Sequence, residues 1–116
     1  MNAAIQQWLD ARAVAPGMLA CGVRESENLC LCHSADRGCP PEKMEKILHQ
    51  LADAQPWLFK DAPAPRWSTW TFEQGKLRIV HRADGLLLGL AVRVDTDAAQ
   101  NLDVLSEEFL ALPAGA

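Results

Sequence analysis

The stretch from Arg66 to Val94 most constrains what this chain can fold into. It holds three runs of strand-forming residues in close succession: Arg66–Glu73, Lys76–Arg82 and Leu86–Val94. Gln74-Gly75 and Asp84-Gly85 separate them, and glycine second in a two-residue loop is a strong hairpin signal. A three-stranded antiparallel meander is therefore predicted. Two-residue turns set Phe72 opposite Leu77, Trp70 opposite Ile79 and Ser68 opposite His81. The next hairpin sets Leu77, Ile79 and His81 opposite Val92, Leu90 and Leu88. One face then carries Trp70, Phe72, Leu77, Ile79, Leu88, Leu90 and Val92. The other is mixed, with Trp67, Thr69, Thr71, Arg78, Val80 and Leu87, and with Gly89 and Ala91 leaving room for a close helix. Helices are expected on both faces, two on the apolar side and one on the mixed side.

Ahead of the meander the periodicity is helical, then alternating, then helical again. Ile5, Trp8, Leu9 and Arg12 recur at helical spacing, and Ala15-Pro16-Gly17 ends that helix. Met18–Arg24 and Leu29–His33 flank the polar stretch Glu25-Ser26-Glu27-Asn28 and read as a hairpin. Pro40-Pro41-Glu42 opens a second helix, with Met44, Ile47, Leu48 and Leu51 on one stripe. Pro56 predicts its end by Gln55, and 61–65 reads as a stiff connector. After the meander, Asp97 and Gln100 resemble a capping box before a helix with Leu102, Leu105, Phe109 and Leu112 on one side. Residues 113–116 are expected to be a frayed tail. The expected architecture is a single α+β domain over 1–116, an α/β sandwich in the order αββαβββα.

Charge narrows the function. The chain of 116 residues has a net charge of −4, and no two of its basic residues are adjacent, which argues against nucleic acid as the main partner. The N-terminal segment lacks a basic start followed by an apolar stretch, and the longest apolar run, 86–92, is too short to span a bilayer. A cytoplasmic location is expected, with the four cysteines as reduced thiols.

Ala15-Pro16-Gly17-Met18-Leu19, Gly75-Lys76-Leu77-Arg78-Ile79-Val80 and Asp84-Gly85-Leu86-Leu87-Leu88 follow this element order, and with it the chain resembles the Roadblock/dynein light chain family. The resemblance covers residues 3 to about 112. It departs at the first hairpin, where Glu25-Ser26-Glu27-Asn28 stands in place of an Asp-Gly-like turn. It implies a five-stranded antiparallel sheet with one helix on one side and two on the other. It also implies a homodimer made by the second helix and third strand, binding to a small Ras-like GTPase or a motor-type complex, and no catalytic residues.

The strand Arg66–Glu73 is the expected point of self-association. It pairs in sequence only with the next strand, and it offers Trp67, Thr69, Trp70 and Thr71 where an edge is usually blunted by Lys or Pro. Pairing with the same strand of a second copy would be isologous. Ile47, Leu48 and Leu51 of the second helix complete the expected interface. Of the two tryptophans, Trp67 is expected to face the partner and Trp70 the domain's own core.

No cofactor or metal is expected. Cys30, Cys32 and His33, with Cys39 and Cys21, lack the usual Cys-x₂-Cys spacing, and residues two apart on a strand stand about 7 Å apart at the backbone. An even-length turn would set Cys21 opposite Cys32. The cysteines are read as small buried hydrophobes, His81 as a hydrogen-bonded core residue and His49 as lying at a helix edge. No phosphate-binding glycine loop is present. Two alternatives stand beside the interaction module. One is a sensor or ligand-binding domain of the PAS or profilin-like kind, with a pocket between sheet and helix. The other is a small thiol- or metal-dependent enzyme using Cys30, Cys32 and Cys39.

Overall fold

The computed structural model describes residues 3–35, 38–58, 66–73, 75–82, 84–94 and 96–113. The elements follow the expected order: α1 (Ala3–Ala13), β1 (Met18–Ser26), β2 (Leu29–Ser34), α2 (Pro41–Leu58), β3 (Trp67–Phe72), β4 (Gly75–His81), β5 (Leu87–Arg93), the short α3 (Asp97–Gln100) and α4 (Leu102–Ala111). The connector at 61–65 and the end of the tail, 114–116, lie outside the described residues.

All five strands form one antiparallel sheet in the order β2-β1-β5-β4-β3. Two registers differ from the turn-based expectation. At β3–β4, Phe72 pairs with Gly75 and Trp70 with Leu77, because Gly75 joins the strand. That shift of two residues leaves every side chain on its expected face. At β4–β5 the shift is one residue: Leu77 pairs with Ala91, Ile79 with Gly89 and His81 with Leu87. The loop there has three residues, not two. Gly85 donates to the Arg82 carbonyl at 3.1 Å and adopts φ +91, the left-handed position that closes a three-residue hairpin, and Arg82 then pairs with Leu86.

A one-residue shift exchanges the faces of β5. Leu88, Leu90 and Val92 therefore share a face with Val80, Cys21 and Val23, beneath Ile5 and Leu9 of α1 and Leu102, Leu105 and Phe109 of α4. The opposite face holds Ala20, Ile79, Leu87 and Ala91 beneath Met44 and Leu48 of α2. Two helices thus cover the more apolar face and one the other. Gly89 and its cross-strand partner Gly22 let α2 descend onto the sheet: a Cβ on Gly89 would lie 2.7 Å from Met44 Sδ.

Polar clamps tie α1 and α4 together and to the sheet. Glu108 accepts from Trp8 Nε1 at 3.1 Å and from Arg12 Nε at 3.0 Å. Buried Arg78 donates to Asp103, Ser106 and Thr69 at 2.8, 3.1 and 2.8 Å, so its charge is compensated where it is desolvated.

Two helix boundaries depart from expectation. α2 continues through Pro56 to Leu58, since a proline this close to the C-terminal end forfeits a single helical hydrogen bond. Thr96, not Asp97, caps the last helical segment. Its backbone is extended and its hydroxyl accepts from Ala99 N at 3.4 Å, while Asp97 lies in the first turn. The segment breaks at Asn101 into α3 and α4.

Candidate interaction surface

β3 is an edge strand that pairs with β4 alone among the described residues. Its sequence, Trp67-Ser-Thr-Trp-Thr-Phe72, is composed of β-branched, aromatic and hydroxyl residues that favour a pleated surface. It carries neither the lysine nor the proline that commonly protects an open edge. The outward row of backbone N–H and C=O groups is therefore a template for another strand.

The side chains beside this edge are apolar. α2 packs mainly on β1, β2 and β5 and covers Ile79 of β4, but leaves the α2-side residues of β3 partly exposed. Trp70 and Phe72, two apart on β3 and hence on the α2 side, are left 43% and 47% exposed. Between this hairpin and α2 runs a groove of about 890 Å³, lined by Ile47, Met44, Leu19, Phe72, Leu77 and Ala91, with Lys43 and Arg93 also on its walls. Leu51, half-buried on α2, packs against the same cluster as Leu77. An apolar groove flanked by partly exposed aromatics is the candidate binding surface of the described residues.

The structure sorts the expected interface residues into three groups. Trp70, Ile47 and Leu51 stand on the α2 side, near the groove. Leu48 is fully buried beneath α2, so its side chain serves the domain's own core. Trp67, Thr69 and Thr71 point to the opposite face. There Trp67 packs against the α1/α4 core, with the guanidinium carbons of Arg66 and Arg78 each 5.0 Å from its ring centroid, and Thr69 accepts from Arg78. The burial of the two tryptophans is thus the reverse of that expected: Trp67 is partly buried against the core and Trp70 is 43% exposed. Phe72, Leu77 and the 80%-exposed Trp57 were not expected at the surface. Period-two alternation grouped Trp70 and Phe72 with Leu77 and Ile79, but it set that face under two helices, whereas α2 alone lies on it and leaves this part uncovered.

The cysteines divide between the faces. A register shift between Arg24 and Ser26 pairs Cys21 with His33 and Gly22 with Cys32, so Cys21 does not face Cys32. Cys21 is buried in the α1/α4 core, where burial pushes its thiol up to about 12. Cys30 and Cys32 lie on the α2 side with their sulfurs 3.6 Å apart. The expected backbone separation is closed by side chains that lean together. Their hydrogen bond holds the Cys30 thiol below the ordinary range, helped by Arg24, and raises that of Cys32. Cys39 is half-buried beside the same apolar cluster. Among the described residues no three His, Cys, Asp or Glu side chains are placed to hold a metal ion together.

The histidines lie on three different elements, His33 on β2, His49 on α2 and His81 on β4. His49 accepts from Arg24 Nε at 2.9 Å through Nδ1 and lies 3.6 Å from Glu45, while His33 Nε2 is 2.7 Å from Asp10. Burial lowers the pKa of His81. Among the described residues, no helix is long and apolar enough to cross a membrane.

A five-stranded antiparallel sheet between one helix and a helical pair, with an aromatic edge strand beside a helix-flanked groove, defines an α/β sandwich with a surface suited to association. No protein-family model and no curated protein matches the sequence. A crystal structure of a Roadblock/LC7 domain from Streptomyces avermitilis is similar to it, at a TM-score of 0.55 and 13% identity, over 93% of this chain and 92% of that one. The chain has the Roadblock/LC7 fold.

Proposed function

We propose that this chain is a non-enzymatic protein-interaction module that forms a homodimer through β3 and the exposed flank of α2, and that the dimer regulates or scaffolds a small Ras-like GTPase or a motor-type complex. The observation that supports dimerisation is the β3 edge: a row of backbone groups beside Trp70 and Phe72 that no other strand among the described residues pairs with, in a strand with no blunting residue. Antiparallel pairing of β3 with β3 of a second copy satisfies both edges at once and is self-complementary. The same docking brings Ile47 and Leu51 of the two copies toward each other. The GTPase or motor-type partner rests on the fold alone, as does the cytoplasmic location.

Light scattering on the wild type and on Trp70→Asp tests the dimer. A dimeric mass that falls to that of a monomer in the variant, with unchanged circular dichroism, supports it; a monomeric wild type overturns it. The partner is tested with purified Ras-like GTPases loaded with GDP or a GTP analogue, where binding that depends on nucleotide state is expected.

The groove favours one second reading, a ligand-binding domain of the PAS or profilin-like kind. Its volume of about 890 Å³ between helix and sheet is of the size that takes a small molecule. A monomer retaining an apolar small molecule in native mass spectrometry selects this reading over the first.

A further inference from the structure

The interaction surface makes no use of the two thiols on the other flank of α2. Cys30 and Cys32 occupy β2, at the opposite edge of the sheet from β3, with sulfurs 3.6 Å apart and both side chains half-buried. The local structure makes room for them. Gly22 is the cross-strand partner of Cys32, and a Cβ on Gly22 would lie 2.6 Å from Cys32 Sγ and 3.1 Å from Met44 Cγ. The missing side chain is thus the space the sulfur occupies, walled on its far side by Met44.

A disulfide fits this pair poorly. Alternate residues of an extended strand stand about 7 Å apart at Cα, at or beyond the long limit for a disulfide. A bridging metal fits better, because two metal–thiolate bonds of about 2.3 Å in the near-linear arrangement of a two-coordinate ion separate the sulfurs by about 4.6 Å, and the side chains have only to part from 3.6 Å. A small rotation at either Cβ reaches that distance. The ligand count then selects the metal. A closed zinc site needs four donors, and among the described residues no three His, Cys, Asp or Glu side chains converge. A monovalent d¹⁰ ion is satisfied by two or three ligands, and thiolates select soft ions of the copper(I) kind.

We infer that Cys30 and Cys32 form a two-thiolate site for a soft monovalent metal ion, copper(I) being the probe of choice. On binding, each thiol loses its proton to solvent and two sulfur–metal bonds form, with no change in the oxidation state of metal or sulfur. The resulting bis-thiolate carries one negative charge. Arg24, the cross-strand partner of Cys30, places a guanidinium beside it, anchored by its 2.9 Å bond to His49. Glu45 acts in the opposite sense and limits the affinity.

The test is an anaerobic titration of the reduced full-length chain with copper(I) held by a chromogenic chelator. The wild type should take one equivalent from the chelator and show an ultraviolet sulfur-to-copper charge-transfer band. Cys21→Ser and Cys39→Ser should keep both signals, whereas Cys30→Ser and Cys32→Ser should each lose them. Because Cys32→Ser could disturb the packing at Gly22, copper protection of the wild type is the second measurement. Bound copper(I) should slow alkylation of Cys30 and Cys32, mapped by peptide mass, at least tenfold while leaving Cys39 unchanged. Failure of the wild type to compete for copper, retention of one equivalent by Cys30→Ser, or equal protection of Cys39 would each overturn the assignment.

Discussion

The guanidinium carbon of Arg78 sits 5.0 Å from the centroid of the Trp67 ring, on the sheet face that α4 covers. This stacking fixes which tryptophan of β3 serves the fold. Arg78 is buried and held by Asp103, Ser106 and Thr69, so the ring rests against a charge that has no freedom to leave. Trp70, three residues on, has Leu77 as its cross-strand partner and lies on the α2 side, where it is left partly exposed.

Trp67→Ala should therefore lower stability by about 2–4 kcal/mol, through lost aromatic burial and lost cation–π contact. Trp70→Ala should cost under about 1 kcal/mol in the same measurement, because its ring is 43% exposed. Urea unfolding at a protein concentration where the chain is monomeric checks both. Equal losses from the two variants would show that Trp70 is also core.

Gly89 makes a second, independent demand on the core. Valine there would drive a Cβ to within 2.7 Å of Met44 Sδ and 3.1 Å of Leu48 Cδ2, lifting α2 from the sheet. Gly89→Val should destabilise by about 1–3 kcal/mol. Combined with Met44→Ala, the loss should be smaller than the two single losses together, since the alanine vacates the space the valine needs. Strict additivity in thermal or urea unfolding would mean that the helix does not rest on Gly89.

Much of this was legible in the residues themselves. Period-two runs and glycine-marked turns gave five strands in the right order, and the apolar stripe of Met44, Leu48 and Leu51 gave α2. Gly89 and Ala91 announced the close helix. What failed was the register. The sequence Asp84-Gly85 fits both a two-residue loop and the end of a three-residue loop, and only the backbone of Gly85, at φ +91 and bonded to Arg82, decides between them. That one-residue difference moved Leu88, Leu90 and Val92 to the opposite face. The exposure of Trp70 and Phe72 was less accessible still, because it depends on where α2 crosses the sheet, which no local pattern along β3 encodes.

His81 should make the protein acid-sensitive. Burial lowers its folded-state pKa from the ordinary 6.5, so in mild acid the unfolded chain takes up a proton that the folded chain refuses. The contribution is fully present above pH 6.5 and is lost as pH falls from there toward the folded value. Urea midpoints at pH 7, 6 and 5 should fall more for the wild type than for His81→Gln. Parallel slopes would show that the ring titrates equally in both states.

The thiols provide the opposite sign. Cys21 is buried and its thiol is pushed from 9.0 to about 12, so the folded chain keeps a proton that the unfolded chain releases. Stability from this group is complete below pH 9.0 and declines as pH rises toward about 12, a decline that Cys21→Ala should reduce. The same environments order the reactivity of the cysteines, because the thiolate is the nucleophile. The Cys30 thiolate is stabilised by the Cys32 S–H bond and by Arg24, and the residue is half-buried; Cys21 has neither accessible surface nor thiolate. Limited iodoacetamide treatment at neutral pH, read by peptide mass, should label Cys30 before Cys32, and Cys21 only when the chain unfolds. Labelling of Cys21 at the rate of Cys30 in the folded protein would place its side chain outside the core and undo the β1 register on which both predictions depend.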